Sequence, residues 1–160
     1  MAIALEQRAD TIRLMTVPWE KIPIFAGLKS AGLEFLTSRA LEVNAPSGKI
    51  IINENEPGNK MFIIRSGEVR VWKGKRDGTQ VELNRLRSGD FFGEMCILET
   101  LPRVAYVETV TDSAFSTLSA INFYQLYQNM PDQYGILLLN IARDLSRRLR
   151  KCDEVFAATY

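Results

Sequence analysis

Residues 88–107 read SGDFFGEMCILETLPRVAYV and carry the most informative pattern of the chain. The pattern combines a glycine turn at Gly93, an acidic residue, Glu94, that opens a short helical stretch, and Arg103 in an otherwise apolar strand. The N–H groups at a helix start converge on an anion, and the helix dipole favours negative charge. Arginine pairs with phosphate through two parallel hydrogen bonds, and a carboxylate accepts a hydrogen bond from a hydroxyl group. The segment therefore predicts a site for a cyclic phosphate ester of a ribose.

The same segment resembles the phosphate-binding cassette of the cyclic nucleotide-binding domain family, which occurs in catabolite-activator regulators, cyclic-nucleotide-dependent kinases and gated channels. The family pattern is Phe-Gly-Glu, an aliphatic and a small residue, a spacer, then Arg, a small or hydroxyl residue, and Ala. The resemblance implies that one set of residues binds the ligand: Phe92, Gly93, Glu94, Met95, Cys96, Arg103, Val104 and Ala105.

Two positions depart from the family pattern. Asn55 stands where the family often has glycine, and asparagine tolerates the left-handed backbone better than other non-glycine residues. Val104 replaces a serine, threonine or alanine and removes a hydroxyl contact to the ligand. In relatives that favour cGMP that hydroxyl also contacts the guanine amino group, so the resemblance implies cAMP as the ligand rather than cGMP.

The sequence also allows other roles for these residues. Arg103 and Glu94 could form an internal ion pair, which contributes little net stability once both charges are desolvated. Cys96 could be a small residue packed beside the phosphate, or a thiol made reactive by the helix start and a nearby arginine.

The rest of the chain predicts a mainly β fold with flanking helices, a β-barrel or jelly roll of the cyclic nucleotide-binding type. Helices are expected at 4–15 and 30–40, then short β-branched segments alternate with turns, including a hairpin at Asp77-Gly78. Strands are predicted over 41–45, 50–52, 62–64, 69–71, 81–83, 104–110 and 114–118. Residues 1–24 are interpreted as an N-terminal helical extension and 25–160 as the nucleotide-binding domain.

A short helix with a capping box at Asn122 and Gln125, and a long last helix opened by Pro131, are predicted to follow the strands. The long helix carries an apolar stripe that exceeds what one small barrel can cover. Its members are Tyr134, Leu138, Ile141, Leu145, Leu149, Cys152 and Phe156. We therefore expect a homodimer or a partner protein to contact this helix.

Composition narrows the functional classes. The chain has 160 residues, 46% hydrophobic residues, no stretch long enough to span a membrane and no secretory signal, so a cytoplasmic protein is expected. It has no histidine and only two, widely separated cysteines. Neither a metal site nor a cofactor nor a catalytic apparatus is predicted, and the chain is not expected to be an enzyme.

The charge pattern does not indicate DNA binding. The net charge is +1, and the basic run at 147–151 is interpreted as a solvated face near the end of a helix. Because the chain ends at Tyr160, no helix-turn-helix domain is expected after it. The predicted function is a cAMP-binding regulatory module that signals through its last helix. The alternative is a barrel that has lost ligand binding and serves as an interaction or dimerisation module.

Overall fold

A computed structural model describes residues 16–99 and 101–159, and the helix predicted at 4–15 lies outside them. Within these described residues, eight strands form two antiparallel sheets of four strands each, ordered β1-β8-β3-β6 and β2-β7-β4-β5. The strands are β1 (Leu41–Ala45), β2 (Ile50–Ile52), β3 (Lys60–Ser66), β4 (Glu68–Gly74), β5 (Gln80–Arg87), β6 (Phe91–Phe92), β7 (Tyr106–Thr109) and β8 (Ser113–Ser119). The predicted fold class is therefore confirmed.

The two sheets enclose an apolar core because alternate side chains along each strand point inward. Phe62 and Phe92 stack with ring centroids 5.0 Å apart, and Phe115 meets both rings edge-on. The other buried members are Ala45, Ile52, Ile64, Val69, Leu86 and Val107. The hairpin predicted at Asp77-Gly78 joins β4 to β5.

The helices lie over a second apolar cluster outside the sandwich. They are α1 (Ser30–Thr37), α2 (Met95–Leu98), α3 (Ala120–Asn129) and α4 (Pro131–Thr159), with two short 3₁₀ helices at Trp19–Lys21 and Pro23–Phe25. Because neighbouring residues of a strand face opposite ways, Phe92 enters the sandwich while Phe91 joins this second cluster. Phe91 therefore links β6 to the helical layer.

One local prediction in this region is wrong. The capping box of α3 is formed by Ser119 and Asn122, not by Asn122 and Gln125. Ser119 Oγ accepts from the Asn122 amide, and the Asn122 side chain accepts from the Ser119 amide. Asn122 is the third residue of the helix rather than its cap, because β8 continues up to Ser119 and α3 starts directly after it.

The segment before α1 belongs to the same core. Ile22 is fully buried beside Phe25, and Val17 packs at the edge of the cluster. Arg65 of β3 anchors this segment, since its Nε donates to Val17 O at 2.9 Å and its guanidinium lies over the Trp19 ring. The division of the chain at residue 24 stays a prediction.

The long helix α4 docks only along its first half. Leu137 and Ile141 are buried, and Leu145 is partly buried against the same cluster. Beyond them Leu149 is 62% exposed and Phe156 is 67% exposed. The domain thus covers the first part of the predicted stripe and leaves its carboxy-terminal part on the surface.

Candidate functional site

All eight residues predicted from the cassette line one pocket at the end of the sandwich. The pocket has about 610 Å³ of empty space, including its open mouth. Phe92, Glu94, Cys96 and Ala105 are buried in its wall, whereas Met95 and Val104 are about half exposed at its rim. The structure therefore brings together the two halves of the cassette, which the spacer separates in the sequence.

Arg103 is the central polar residue of this pocket and is 7% exposed. Its Nη1 donates to Gly93 O at 2.8 Å, and its Nη2 donates to Lys60 O at 2.7 Å. Its Nε is buried and has no hydrogen-bond partner within residues 16–99 and 101–159. Such an orphaned buried donor is costly, and an arginine guanidinium offers planar, paired donors to a phosphate. Arg103 precedes β7 by three residues, because the strand predicted to begin at residue 104 begins only at Tyr106.

The loop between β2 and β3 holds the backbone of Arg103. The Arg103 amide donates to Glu56 O at 2.9 Å, and Arg103 O accepts from the Asn55 amide at 2.8 Å. Asn55 has a φ of 66°, as expected for its place in the turn. Gly58 of the same loop lies against the guanidinium, and a Cβ there would sit 2.5 Å from Arg103 Cζ. Position 58 therefore has no room for a side chain while the guanidinium keeps its place.

Gly93 meets the guanidinium from the other side. Its φ is +78°, in the region that favours glycine, and a Cβ there would lie 2.6 Å from Arg103 Nη1. Gly93 also precedes α2, in which the amides of Ile97 and Leu98 donate to Glu94 O. The cassette thus places a buried cation beside the start of a short helix, where the helix dipole favours an anion.

Glu94 is buried, at 6% exposure, in the same wall. Burial raises the pKa of its carboxyl, a hydrogen bond to its own backbone partly opposes this shift, and Arg148 counteracts it more than Arg103 does. Among the described residues Glu94 and Arg103 form no ion pair within 4.0 Å, so the internal pair considered from the sequence is not present. In this position a carboxylate can accept a hydrogen bond from a ligand hydroxyl.

Cys96 also contacts the arginine. Arg103 Nη1 donates to Cys96 Sγ at 3.0 Å, and the thiol donates to Gly93 O at 3.1 Å. The sulfur lines the pocket although the residue is only 7% exposed. Cys96 is thus more than a space-filling residue, because it shares a donor of the arginine.

The sequence prediction missed Arg148 of α4, which also lines the pocket. Its Nε pairs with Asp144 Oδ2 at 2.6 Å, its Nη2 donates to Phe91 O at 2.8 Å, and its guanidinium lies 4.6 Å above the Phe91 ring. The interpretation of the whole basic run as a solvated face is therefore wrong for Arg148. The i, i+4 spacing of Asp144 and Arg148 was the only sequence signal for this residue.

Six further pocket residues were not predicted either. They are Ile52, Val71, Asn84, Leu86, Pro102 and Val107. Most belong to strands of the β2-β7-β4-β5 sheet, and their side chains make the inner wall predominantly apolar. An apolar wall with a few convergent polar groups is typical of a small-molecule site.

Comparison with known proteins identifies the family of this chain. A family model described as "Cyclic nucleotide-binding domain" matches residues 42–130, and the chain belongs to this family. Its members bind cyclic nucleotides, often dimerise and are typically non-catalytic. The chain is 29% identical over 134 residues to the CRP-like cAMP-activated global transcriptional regulator of Mycobacterium tuberculosis. That match covers 84% of this chain and 58% of the relative, so the chain spans little more than half of the regulator's length.

Solved structures show the same fold. The catabolite activator protein of Thermus thermophilus matches with a TM-score of 0.73 at 28% identity, over 86% of this chain and 62% of that one. A cyclic nucleotide-binding domain from Methylobacillus flagellatus matches with a TM-score of 0.81 at 24% identity, over 94% and 85% of the two chains. In the part of the chain that the structure describes, no helix is long and apolar enough to cross a membrane.

Proposed function

We propose that this chain is a regulatory domain that binds cAMP and signals by a rearrangement of its carboxy-terminal helix α4. The observation that carries the proposal is the buried Arg103, whose Nε lacks a partner in the described part of the chain, in one pocket with a buried carboxylate, Glu94. In this proposal the arginine and the amides after Gly93 bind the cyclic phosphate. Glu94 accepts the ribose hydroxyl, and the apolar wall contacts the base.

Two arguments favour cAMP over cGMP. Val104, at the rim, offers no hydroxyl to a guanine amino group. The M. tuberculosis relative is described as cAMP-activated, and that description matches the preference expected from Val104.

The pocket contact of Arg148 suggests how the ligand would act on α4. Arg148 reaches Phe91 from α4, and its charge acts on Glu94. A nucleotide that contacts Glu94 would change the environment of Arg148 and so favour one position of the helix. The ligand would shift the equilibrium between the two helix positions by the difference between its binding free energies for them. Contacts that hold the helix in one position would alter nucleotide affinity by the same factor.

The exposed end of α4 favours a protein partner. Leu149 and Phe156 are each more than half exposed, which is unusual for large apolar side chains that lie on one helix. We propose that a second copy or another protein covers this end. The cytoplasm stays the predicted location, and no DNA contact, membrane contact or catalytic role is proposed.

A second candidate function is a ligand-independent interaction module. Two features favour this function: Val104 departs from the cassette pattern, and the end of α4 is exposed. The two functions differ in whether the pocket binds a nucleotide.

Calorimetric titration of the purified chain with cAMP, cGMP and a cyclic dinucleotide separates the two functions. We expect saturable binding of cAMP and a loss of about ten- to a hundredfold in affinity for Arg103→Gln, since a charge-assisted hydrogen bond contributes ~1.5 to 3 kcal/mol. Arg76→Gln, in the exposed β4–β5 turn, is the matched control and should bind as the parent does. Absence of saturable heat with all three ligands would favour the interaction module.

A further inference from the structure

The pocket contains a nucleophile that the proposed function does not use. Cys96 Sγ lies 3.0 Å from Arg103 Nη1, in a pocket that opens to solvent. The sequence contains only one other cysteine, Cys152, which is exposed on α4. Cys96 is therefore the cysteine that a molecule entering the pocket would meet.

Arg103 makes this position attractive to an anion that carries a reactive group. Arg103 is 7% exposed and its Nε has no hydrogen-bond partner among the described residues, so the guanidinium is an incompletely satisfied cation beside the sulfur. The thiolate is the reactive form of cysteine, and an adjacent cation compensates its charge as the sulfur attacks. A cation at the bottom of a cleft also concentrates anions there.

We propose that Cys96 is a modification site for small anionic disulfides, and that its mixed disulfide and a bound cyclic nucleotide exclude one another. The first half of the proposal rests on the geometry of Cys96 and Arg103 alone. The second half rests on the proposed function, because the attached group would occupy the cradle between Gly93 and Arg103 that the phosphate is proposed to use.

The reaction is a thiol–disulfide exchange. Cys96 Sγ attacks one sulfur of the small disulfide and forms a new S–S bond to it while the original S–S bond breaks. The proton that Cys96 loses ends on the departing thiol. The cysteine is oxidised to a mixed disulfide, one half of the reagent is reduced, and a second thiol reverses the step.

The test uses the full chain with Cys152→Ser, so that Cys96 is its only thiol. The reagents are dithiobis-nitrobenzoate, which is anionic and releases a coloured thiolate, and dithiodipyridine, which is neutral. We expect one equivalent of thiolate from the native protein and the same from the denatured protein. Native protein that releases none, while denatured protein releases one equivalent, would overturn the proposal.

The arginine is tested by the difference between the two reagents. Arg103→Gln should slow the anionic reagent at least about tenfold and the neutral one much less, because steering by charge acts only on the anion. Added salt screens the charge, so it should slow the reaction of the parent with the anionic reagent more than with the neutral one. This measurement tests the role of the cation even if the variant does not fold. Equal effects on both reagents would show that the cation does not direct the reaction.

Exclusion is tested with cAMP at saturation. The anionic reagent should react at least about tenfold more slowly with the nucleotide-bound protein, and the modified protein should show no cAMP heat until a thiol is added. Calorimetry on the unmodified protein distinguishes a failure of the exclusion from a failure of the proposed function. If cAMP binds without slowing the reaction, the exclusion is wrong. If cAMP does not bind at all, the proposed function and the exclusion fail, and the reagent comparison still decides whether Cys96 is a modification site.

Discussion

Gly58→Ala should remove most of the cAMP affinity, although Gly58 itself is not a proposed ligand contact. The new Cβ would lie 2.5 Å from Arg103 Cζ and 2.8 Å from Nη2, where non-bonded carbon atoms normally stay about 3.5–4.0 Å apart. The guanidinium must therefore move by about 1 Å, whereas the φ of Gly58 lies outside the left-handed region and permits alanine. The backbone can keep its conformation, so the perturbation falls on the arginine.

The size of the effect follows from the hydrogen bonds of the guanidinium. A shift of about 1 Å lengthens the 2.7 Å bond to Lys60 O and the 2.8 Å bond to Gly93 O beyond hydrogen-bond distance. Each bond to a charged donor contributes ~1.5 to 3 kcal/mol, so the loss of one phosphate contact lowers affinity about ten- to a hundredfold. The free energy of unfolding should fall by a similar amount, because the arginine loses its carbonyl partners.

Calorimetry gives the dissociation constant, and thermal melts give the stability. Gly74→Ala is the matched control, because a Cβ at Gly74 would meet nothing within 4 Å and its φ is not positive. The control should keep the parent's affinity and melting temperature. A folded Gly58→Ala protein with the parent's cAMP affinity would refute the role given to Arg103.

Three further predictions concern the pocket and α4. Burial raises the pKa of Glu94, so its contribution to stability is present below the ordinary glutamate pKa and is lost as pH rises through the raised value. Thermal melts should therefore show that Glu94→Gln is more stable than the parent at neutral pH but not at acid pH. Calorimetry should show that the variant binds cAMP more weakly than the parent does, whereas its affinity for 2′-deoxy-cAMP is nearly unchanged. Val104→Thr should improve cGMP more than cAMP in competition binding, and a parent that prefers cGMP contradicts this. If a second copy covers the end of α4, Leu149→Glu with Phe156→Glu should lower the mass measured by light scattering, and a monomeric parent contradicts a second copy as the partner.

Local features of the fold could be predicted because each depends on residues that are close in sequence. The Asp77-Gly78 hairpin, the start of α4 at Pro131 and the left-handed Asn55 are all confirmed. The start of β7 and the cap of α3 were predicted wrongly for the same reason. The ends of β7 and β8 are set by pairing with distant strands. The strand after Arg103 begins later than predicted, and β8 extends to Ser119, which becomes the cap of α3.

The sequence by itself determined the cassette, since Gly93, Glu94 and Arg103 lie within eleven residues and carry recognisable chemistry. Only the tertiary structure decided what surrounds the arginine. Gly58 and Lys60 O reach it from β3 and the loop before it, and Arg148 reaches the pocket from α4, 45 positions after Arg103. Packing of the sheets and helices brings these groups together, and no pattern within a single element encodes the distance between them.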